Sequence, residues 1–323
     1  MLITGGAGFI GSNFIHYMSR EHPEYEIINV DLLTYAGNIA NLSSLRECKS
    51  YSFKQADISD REAMEPLFQQ GIDVVVNFAA ESHVDRSIKR PDLFVRSNIQ
   101  GTQTLLELAR QYKVDKFVQI STDEVYGSLG EYGFFTEETP LAPNSPYSAS
   151  KAGADLLVRA YHETYGLPIN ITRCSNNYGP YQYPEKLIPL MIHNSLNNRQ
   201  LPVYGDGLNI RDWLYVEDHC SAIDFVIHQG RNGEIYNIGG GNERTNLQVV
   251  RTILELLGKP ETLISYVEDR LGHDRRYAIN AAKIRNELGW APKYDYESGI
   301  RLTIQWYLNN GDWLSQVESK IVC

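Results

Sequence analysis

The chain has 323 residues, of which 42% are hydrophobic and 22% charged, and a formal net charge of −10. This is the make-up of an ordinary globular protein, long enough for one large or two modest domains around a substantial core. The charge argues against non-specific binding to nucleic acid or an anionic membrane, and no stretch nears the roughly 18 uninterrupted apolar residues of a membrane span.

Met1-Leu2-Ile3-Thr4 starts a strand at once, with no basic segment ahead of an apolar one, so no secretory signal is expected. The four cysteines, Cys48, Cys174, Cys220 and Cys323, form no CxxC pair, which points to a reduced, cytoplasmic protein. Gly5, Gly8 and Gly11 follow the first strand as G-x-x-G-x-x-G and open a helix. That spacing turns the chain tightly and brings backbone close to a pyrophosphate at the helix N-terminus, although a purely structural turn has the same look. The second apolar run, 27–30, ends at Asp31, twenty residues past Gly11. A carboxylate there accepts from an adenosine ribose and repels a 2′-phosphate, and Leu32, Leu33 and Thr34 offer no arginine to bind one. NAD is therefore expected rather than NADP.

Further apolar runs at 74–78 and 117–120 have helical patterns between them, for example at 93–112. The alternation predicts an α/β fold, a doubly wound parallel sheet of the Rossmann type. Thr122, Asp123 and Glu124 follow the run at 117–120, which places them at the carboxyl edge where ligands bind. Thr and Asp are equally at home capping a short helix. Adjacent carboxylates push their pKa values apart, as an acid/base pair requires. A long helix is predicted over 146–165, stopped by Gly166 with Pro168 beyond, and it carries Tyr147 and Lys151. Four residues apart, they share one face, about 6 Å along the axis. Ionising half of a tyrosine at pH 7 takes about three units, roughly 4 kcal/mol, a shift expected here from the ammonium and a cationic nicotinamide. The competing reading is a buried tyrosine beside a solvated lysine.

A strand is predicted at 169–173, and after it the pattern becomes irregular, with Asn, Gly, Pro and Tyr clustered at 176–184 and 202–209. Residues 1–175 are expected to form the dinucleotide-binding domain and 176–323 mainly a smaller, interleaved substrate-binding lobe. A helix at 216–228 and a strand at 234–238 suggest that 213–240 returns to the sheet. Lys186, Arg211, Arg270 and Arg275 are candidates for a diphosphate, with Arg211 favoured by its neighbours Ile210 and Trp213. Residues 270–274 read as an ordered loop. The eight histidines show no metal-ligand spacing, so no metal is expected.

The segments TGGAGFIGSNF, VDLLTYAGN, AAESHVDRS, ISTDEVYG, SPYSASKAGAD, RCSNNYGPYQYPEKLIP, NIRDWLYVEDH and DRLGHDRRYAI run nearly end to end. Together they resemble the dTDP-glucose 4,6-dehydratases of the extended short-chain dehydrogenase/reductase family. The first strand is a residue or two shorter than the family's usual opening. The resemblance implies a homodimer, tightly bound NAD, and dTDP-glucose as the substrate of a hydro-lyase in deoxysugar biosynthesis, for example of rhamnose.

It also implies roles. Tyr147 takes the 4-hydroxyl proton during oxidation at C4, Lys151 holds the phenolate and the nicotinamide ribose, and Thr122 bonds near the 4-oxygen. Glu124 removes the C5 proton and Asp123 protonates the departing 6-hydroxyl. NAD contacts are implied at Gly5, Gly8, Phe9, Ile10, Gly11, Asp31, Leu32 and Thr34. Others fall at Asp57, Ile58, Phe78, Ala79, Ala80, Ser97 and Asn177, besides Tyr147 and Lys151. Substrate contacts are implied at Ser82, Thr122, Asn176, Lys186, Leu187, Pro202, Val203, Tyr204, Arg211, Asn246, Arg270 and His273. A nucleotide-sugar 4-epimerase has no use for Asp123-Glu124. A dehydratase of a GDP-linked hexose favours NADP, against which Asp31 argues, and a UDP-linked hexose is a further rival. A non-catalytic dinucleotide module often loses the tyrosine or the lysine.

Overall fold

The structure, a computed structural model, describes residues 1–269 and 273–321. Its strands are β1 (Leu2–Thr4), β2 (Ile27–Asp31), β3 (Tyr51–Gln55), β4 (Val74–Asn77), β5 (Lys116–Thr122) and β6 (Ile169–Cys174). They continue as β7 (Asn176–Tyr178), β8 (Leu201–Tyr204), β9 (Ile210–Tyr215), β10 (Ile235–Ile238), β11 (Glu243–Thr245) and β12 (Ile264–Val267). Seven form one sheet in the order β10-β6-β5-β4-β1-β2-β3, with every pairing parallel.

The reason lies in the strands' composition. Leu2, Ile3, Val75, Val76, Phe117 and Val118 alternate between the two faces, and all are buried, so both faces need cover. Phe14, Ile15 and Met18 of the helix Phe9–Glu21 cover one face together with Ile223 and Val226 of the helix Val216–Gln229. Met64, Phe68, Leu105, Leu106 and Val158, from the helices Arg61–Phe68, Thr102–Gln111 and Pro146–Tyr165, cover the other. Each such side chain contributes about 1.5–3 kcal/mol on burial. This is the doubly wound arrangement expected. The order reverses between β1 and β4, where the carboxyl ends of the strands diverge into a crevice.

The helix Pro146–Tyr165 begins and ends on local signals. Ser145 accepts from the Ser148 amide at 3.1 Å, Pro146 fills the first position, and Gly166 closes the helix with φ +68°. Residues 93–112 depart from the regular helix expected. A turn at Pro91–Phe94 passes into π-helix over Val95–Gly101 and then into the helix Thr102–Gln111. Asn98, inside the π-helix, accepts from Glu81 N at 2.8 Å and donates to Glu81 O at 3.0 Å and to Ser150 Oγ at 2.8 Å. These long-range bonds hold the widened turn, a form often found near functional sites.

In the rest of the chain β9 lies between β7 and β11, and β8 pairs with β12. Tyr178, Ile192, Trp213, Val250, Ile253 and Tyr307 form a separate core there. Among the described residues no helix is long and apolar enough to cross a membrane.

Candidate active site

A cavity of about 630 Å³ opens where β1 and β4 part. All of the residues implied above for NAD line it, from Gly5 to Asn177. The glycine turn is built for close approach. Gly5 has φ +69°, and a Cβ on it would lie 2.5 Å from the Ala79 nitrogen. A Cβ on Gly11 would lie 2.4 Å from the Gly5 carbonyl. The N-cap of the helix Phe9–Glu21 is Gly8, and no side chain caps it, so its first amides remain for an anion. Asp31 ends β2 and accepts from Ala7 N at 3.0 Å and Leu33 N at 2.8 Å, each oxygen keeping a second lone pair. Burial raises its pKa, and the two amide bonds oppose the rise. Glycine cradle, open helix end and acidic strand end together fit a dinucleotide with an unphosphorylated ribose.

Thr122 is the last residue of β5 and the N-cap of a 3-10 helix over Asp123–Tyr126. Its hydroxyl accepts from Glu124 N at 3.3 Å and donates to Asp123 Oδ1 at 3.3 Å. The capping role considered from sequence is therefore real, and it fixes both carboxylates at the cavity wall. Asp123 is only 2% exposed, and its Oδ2 has no hydrogen-bond partner. Burial, then the Glu124 and Asp212 charges, push its pKa well above the usual carboxylate range, and Arg211 opposes them. Glu124 is less buried and also lines the cavity. The neighbours thus differ in environment: Asp123 is the buried one, where its protonated form is favoured.

Tyr147 and Lys151 line the same cavity, both buried. Lys151 Nζ donates to Ile120 O at 2.6 Å, and burial lowers its pKa. The tyrosine differs from expectation. Burial, followed by the Glu124 charge, drives its pKa well above the ordinary value, and a Thr122 hydrogen bond pulls the other way and is outweighed. In the chain by itself Tyr147 is a phenol. Cys174 also lines the cavity, but burial pushes its thiol up to about 12, so it is no nucleophile.

Of the implied substrate residues, Ser82, Thr122, Asn176 and Lys186 line the cavity, and Lys186 Nζ donates to Ser82 O at 3.1 Å. Leu187, Pro202, Val203, Tyr204, Arg211, Asn246 and His273 lie outside that lining. Val203 is 1% exposed within the lobe's own core, so its side chain is closed to a ligand. Tyr204 meets His273 edge-on at 6.4 Å, and Arg211 lies over the Tyr277 ring at 4.3 Å and donates to Asp274 O at 2.9 Å. Arg211 reaches the cavity through its field at Asp123. Arg270 lies outside the described residues. Arg275 is spent on an exposed ion pair with Asp206 at 2.8 Å, which leaves it a weak diphosphate candidate. Sequence reasoning missed Tyr35, Glu81 and Glu185, which also line the cavity, and Asn98 behind it. Tyr35 and Glu185 directly follow or precede flagged positions, and that adjacency was the available signal.

A dinucleotide cradle and a Tyr/Lys pair, with two adjacent carboxylates added at the same cavity, are the features of an extended short-chain dehydrogenase/reductase. The GDP-mannose 4,6 dehydratase family model matches residues 2–303. A dTDP-glucose 4,6-dehydratase from Xanthomonas campestris pv. campestris (strain B100) is 53% identical, over 98% of this chain and 95% of its own. The crystal structure of a dTDP-glucose 4,6-dehydratase from Bacillus anthracis str. Ames in complex with NAD is 57% identical, covers 98% of both chains and has a TM-score of 0.92. That of a dTDP-glucose 4,6-dehydratase from Streptomyces venezuelae, with NAD and TYD bound, is 49% identical, covers 98% and 99%, and has a TM-score of 0.95. The chain belongs to the dTDP-glucose 4,6-dehydratases of the extended short-chain dehydrogenase/reductase family.

Proposed function

We propose that this chain converts dTDP-glucose to its 4-keto-6-deoxy product, with NAD held in the cavity between Gly5 and Asn177. The observation that carries this reading is Asp123: a buried carboxyl with an unpartnered oxygen, its pKa raised by burial, directly beside a more open glutamate. A 4-epimerase has no use for that pair.

When bound, NAD supplies a hydride acceptor and later donor. The chain's own residues handle protons and orientation. Tyr147, a phenol in the chain by itself, would be favoured as phenolate by the positive nicotinamide and the Lys151 ammonium. So ionised it takes the proton of the 4-hydroxyl, Lys151 holds the phenolate, and Thr122 bonds the 4-oxygen. The 4-carbonyl acidifies the C5 proton, which Glu124 removes. Asp123 gives its proton to the leaving 6-hydroxyl, which departs as water. A proton then returns to C5. Asp31, the Phe9–Glu21 helix end and the glycine turn hold the dinucleotide. Ser82, Asn176 and Lys186 meet the substrate from the cavity, and Tyr204, Arg211, Asn246 and His273 from the lobe. Residues 1–175, with 213–240, act as the NAD-binding domain and the remainder mainly as the substrate lobe. The active form is a homodimer in the cytoplasm.

The test is incubation with dTDP-glucose and, separately, UDP-glucose, without added reductant, followed by mass spectrometry. A product lighter by one water from dTDP-glucose is expected. Recovery of an isomer of unchanged mass would sink the reading.

A further inference from the structure

Far from the cavity, at the other end of the helix Phe9–Glu21, three metal-ligating groups meet. His22 follows that helix, and Asp224 and His228 lie one turn apart on the helix Val216–Gln229. His22 Nε2 is 2.9 Å and His228 Nδ1 2.8 Å from the same oxygen, Asp224 Oδ1, and the three ligand atoms lie within 4.8 Å of one another. We propose that His22, Asp224 and His228 form a binding site for a divalent transition-metal ion of the zinc type.

Two imidazoles and a carboxylate are a donor set that suits Zn²⁺ and its neighbours. At metal–ligand distances of about 2.1 Å, ligand atoms in a tetrahedral site stand about 3.4 Å apart, so the side chains need part by only about half an ångström from the two separations observed. One remaining ring nitrogen is held as in metal-binding histidines: Tyr25 OH lies 2.7 Å from His228 Nε2, while Glu24 Oε1 stands 3.8 Å from His22 Nδ1, beyond hydrogen-bond distance. Side-chain exposures of 23% for His22, 13% for Asp224 and 34% for His228 leave one side open to an entering ion and its waters. Hydrogen bonding also satisfies the trio: His22 Nε2 bonds Asp224 Oδ1 at 2.9 Å, and His228 Nδ1 bonds the Asp224 backbone carbonyl at 2.9 Å while standing 2.8 Å from Oδ1. An entering cation would take the ring nitrogens' lone pairs in place of these bonds. His22 is some 200 residues from Asp224 and His228, so no local spacing displays the full set. The helix Phe9–Glu21 has 13 residues, so the site lies about 20 Å from the cavity end of that helix. The ion would clamp two helices and leave the chemistry alone.

The test is isothermal titration of Zn²⁺ into chelator-treated full-length protein, with Co²⁺ as a visible-spectrum probe of nitrogen and oxygen ligation. One saturating ion per chain is expected, raising the melting temperature. His228→Gln and Asp224→Asn should each weaken apparent affinity at least tenfold while turnover stays at the wild-type value. No saturable binding, or identical isotherms in wild type and His228→Gln, overturns the proposal and leaves a hydrogen-bonded latch. Because His228 is half-exposed, its variant folds, and the Co²⁺ spectrum of the unaltered chain provides a second, independent measurement: bands of nitrogen and oxygen ligation support the site, and the spectrum of the free aqueous ion overturns it.

Discussion

Lys151 donates to the Ile120 carbonyl at 2.6 Å, so the helix that carries Tyr147 is pinned to the strand that delivers Thr122, Asp123 and Glu124. The same amine is the group proposed to hold the Tyr147 phenolate. Replacing it removes a charge where burial already disfavours ionised tyrosine. Lys151→Met should lower kcat by about 10²–10⁴, the range of a lost proton-transfer partner. Steady-state turnover of dTDP-glucose measures this. A variant within tenfold of wild type would move that role elsewhere.

Asp123 and Glu124 should separate by stability as well as by activity. Burial raises the Asp123 pKa in the folded chain above its unfolded value. The unfolded state therefore releases this proton first, and stability falls as pH rises from about 4 towards the folded pKa. Asp123→Asn removes that penalty and leaves a neutral group of the same shape. Its melting temperature should exceed wild type at pH 8 and converge with it near pH 4. Its dehydration rate should fall about 10²–10⁴-fold, because an amide has no proton to give the 6-hydroxyl. Glu124→Gln should instead abolish exchange of the C5 proton with solvent. Exchange persisting in Glu124→Gln and lost in Asp123→Asn would reverse the assignment.

Which features were legible in the sequence follows from the range of the forces involved. The helix Pro146–Tyr165 was legible to the residue because Ser145, Pro146 and Gly166 act on their own neighbours. Asp31 was legible because strand end and turn are close in sequence. The π-helix over Val95–Gly101 was not, since Asn98 is bound to Glu81 and Ser150, partners that only folding brings near. Protonation states were equally hidden. Tyr147 and Asp123 owe theirs first to burial, which depends on what packs around them.

Gly11 sits in a helix, where alanine ordinarily stabilises by about 1 kcal/mol. Here the added Cβ would stand 2.4 Å from the Gly5 carbonyl and 2.8 Å from Gly6 Cα, both backbone. Overpacking costs about 1–3 kcal/mol and outweighs the propensity gain. Gly11→Ala should therefore unfold at lower urea and be isolated with less NAD. Wild-type cofactor content, read from the absorbance of the denatured supernatant, would show that the turn tolerates the methyl.

Asp31→Asn tests cofactor choice. The amide keeps one acceptor for Ala7 N or Leu33 N and loses the charge. Without the charge a 2′-phosphate is no longer repelled, so the preference for NAD over NADP should fall at least tenfold in reconstitution of stripped protein. An unchanged preference would place discrimination outside Asp31.

His219 offers a test of acid stability next to the cavity. Asn177, which lines the cavity, donates through Nδ2 to Ser175 O at 2.9 Å, so its Oδ1 is the acceptor for His219 Nδ1 at 2.9 Å. The ring is then the neutral Nδ1–H form, and its buried Nε2 has no partner. Charging it means placing a second proton where nothing accepts it, and burial lowers its pKa to about 3. The unfolded histidine gains its proton near pH 6.5, while the folded one stays neutral. Stability from this group is therefore intact above about pH 6.5 and falls, by up to about 1.4 kcal/mol per pH unit, down to about pH 3. His219→Gln removes that slope, and buried carboxylates such as Asp155 and Asp212 contribute equally to both proteins and cancel in the difference. Urea unfolding at pH 7.5, 6.0 and 5.0 should show the stability difference between wild type and variant moving in the variant's favour as pH falls. A difference constant across that range would mean that His219 takes up its proton at the same pH folded as unfolded, which requires an acceptor for Nε2.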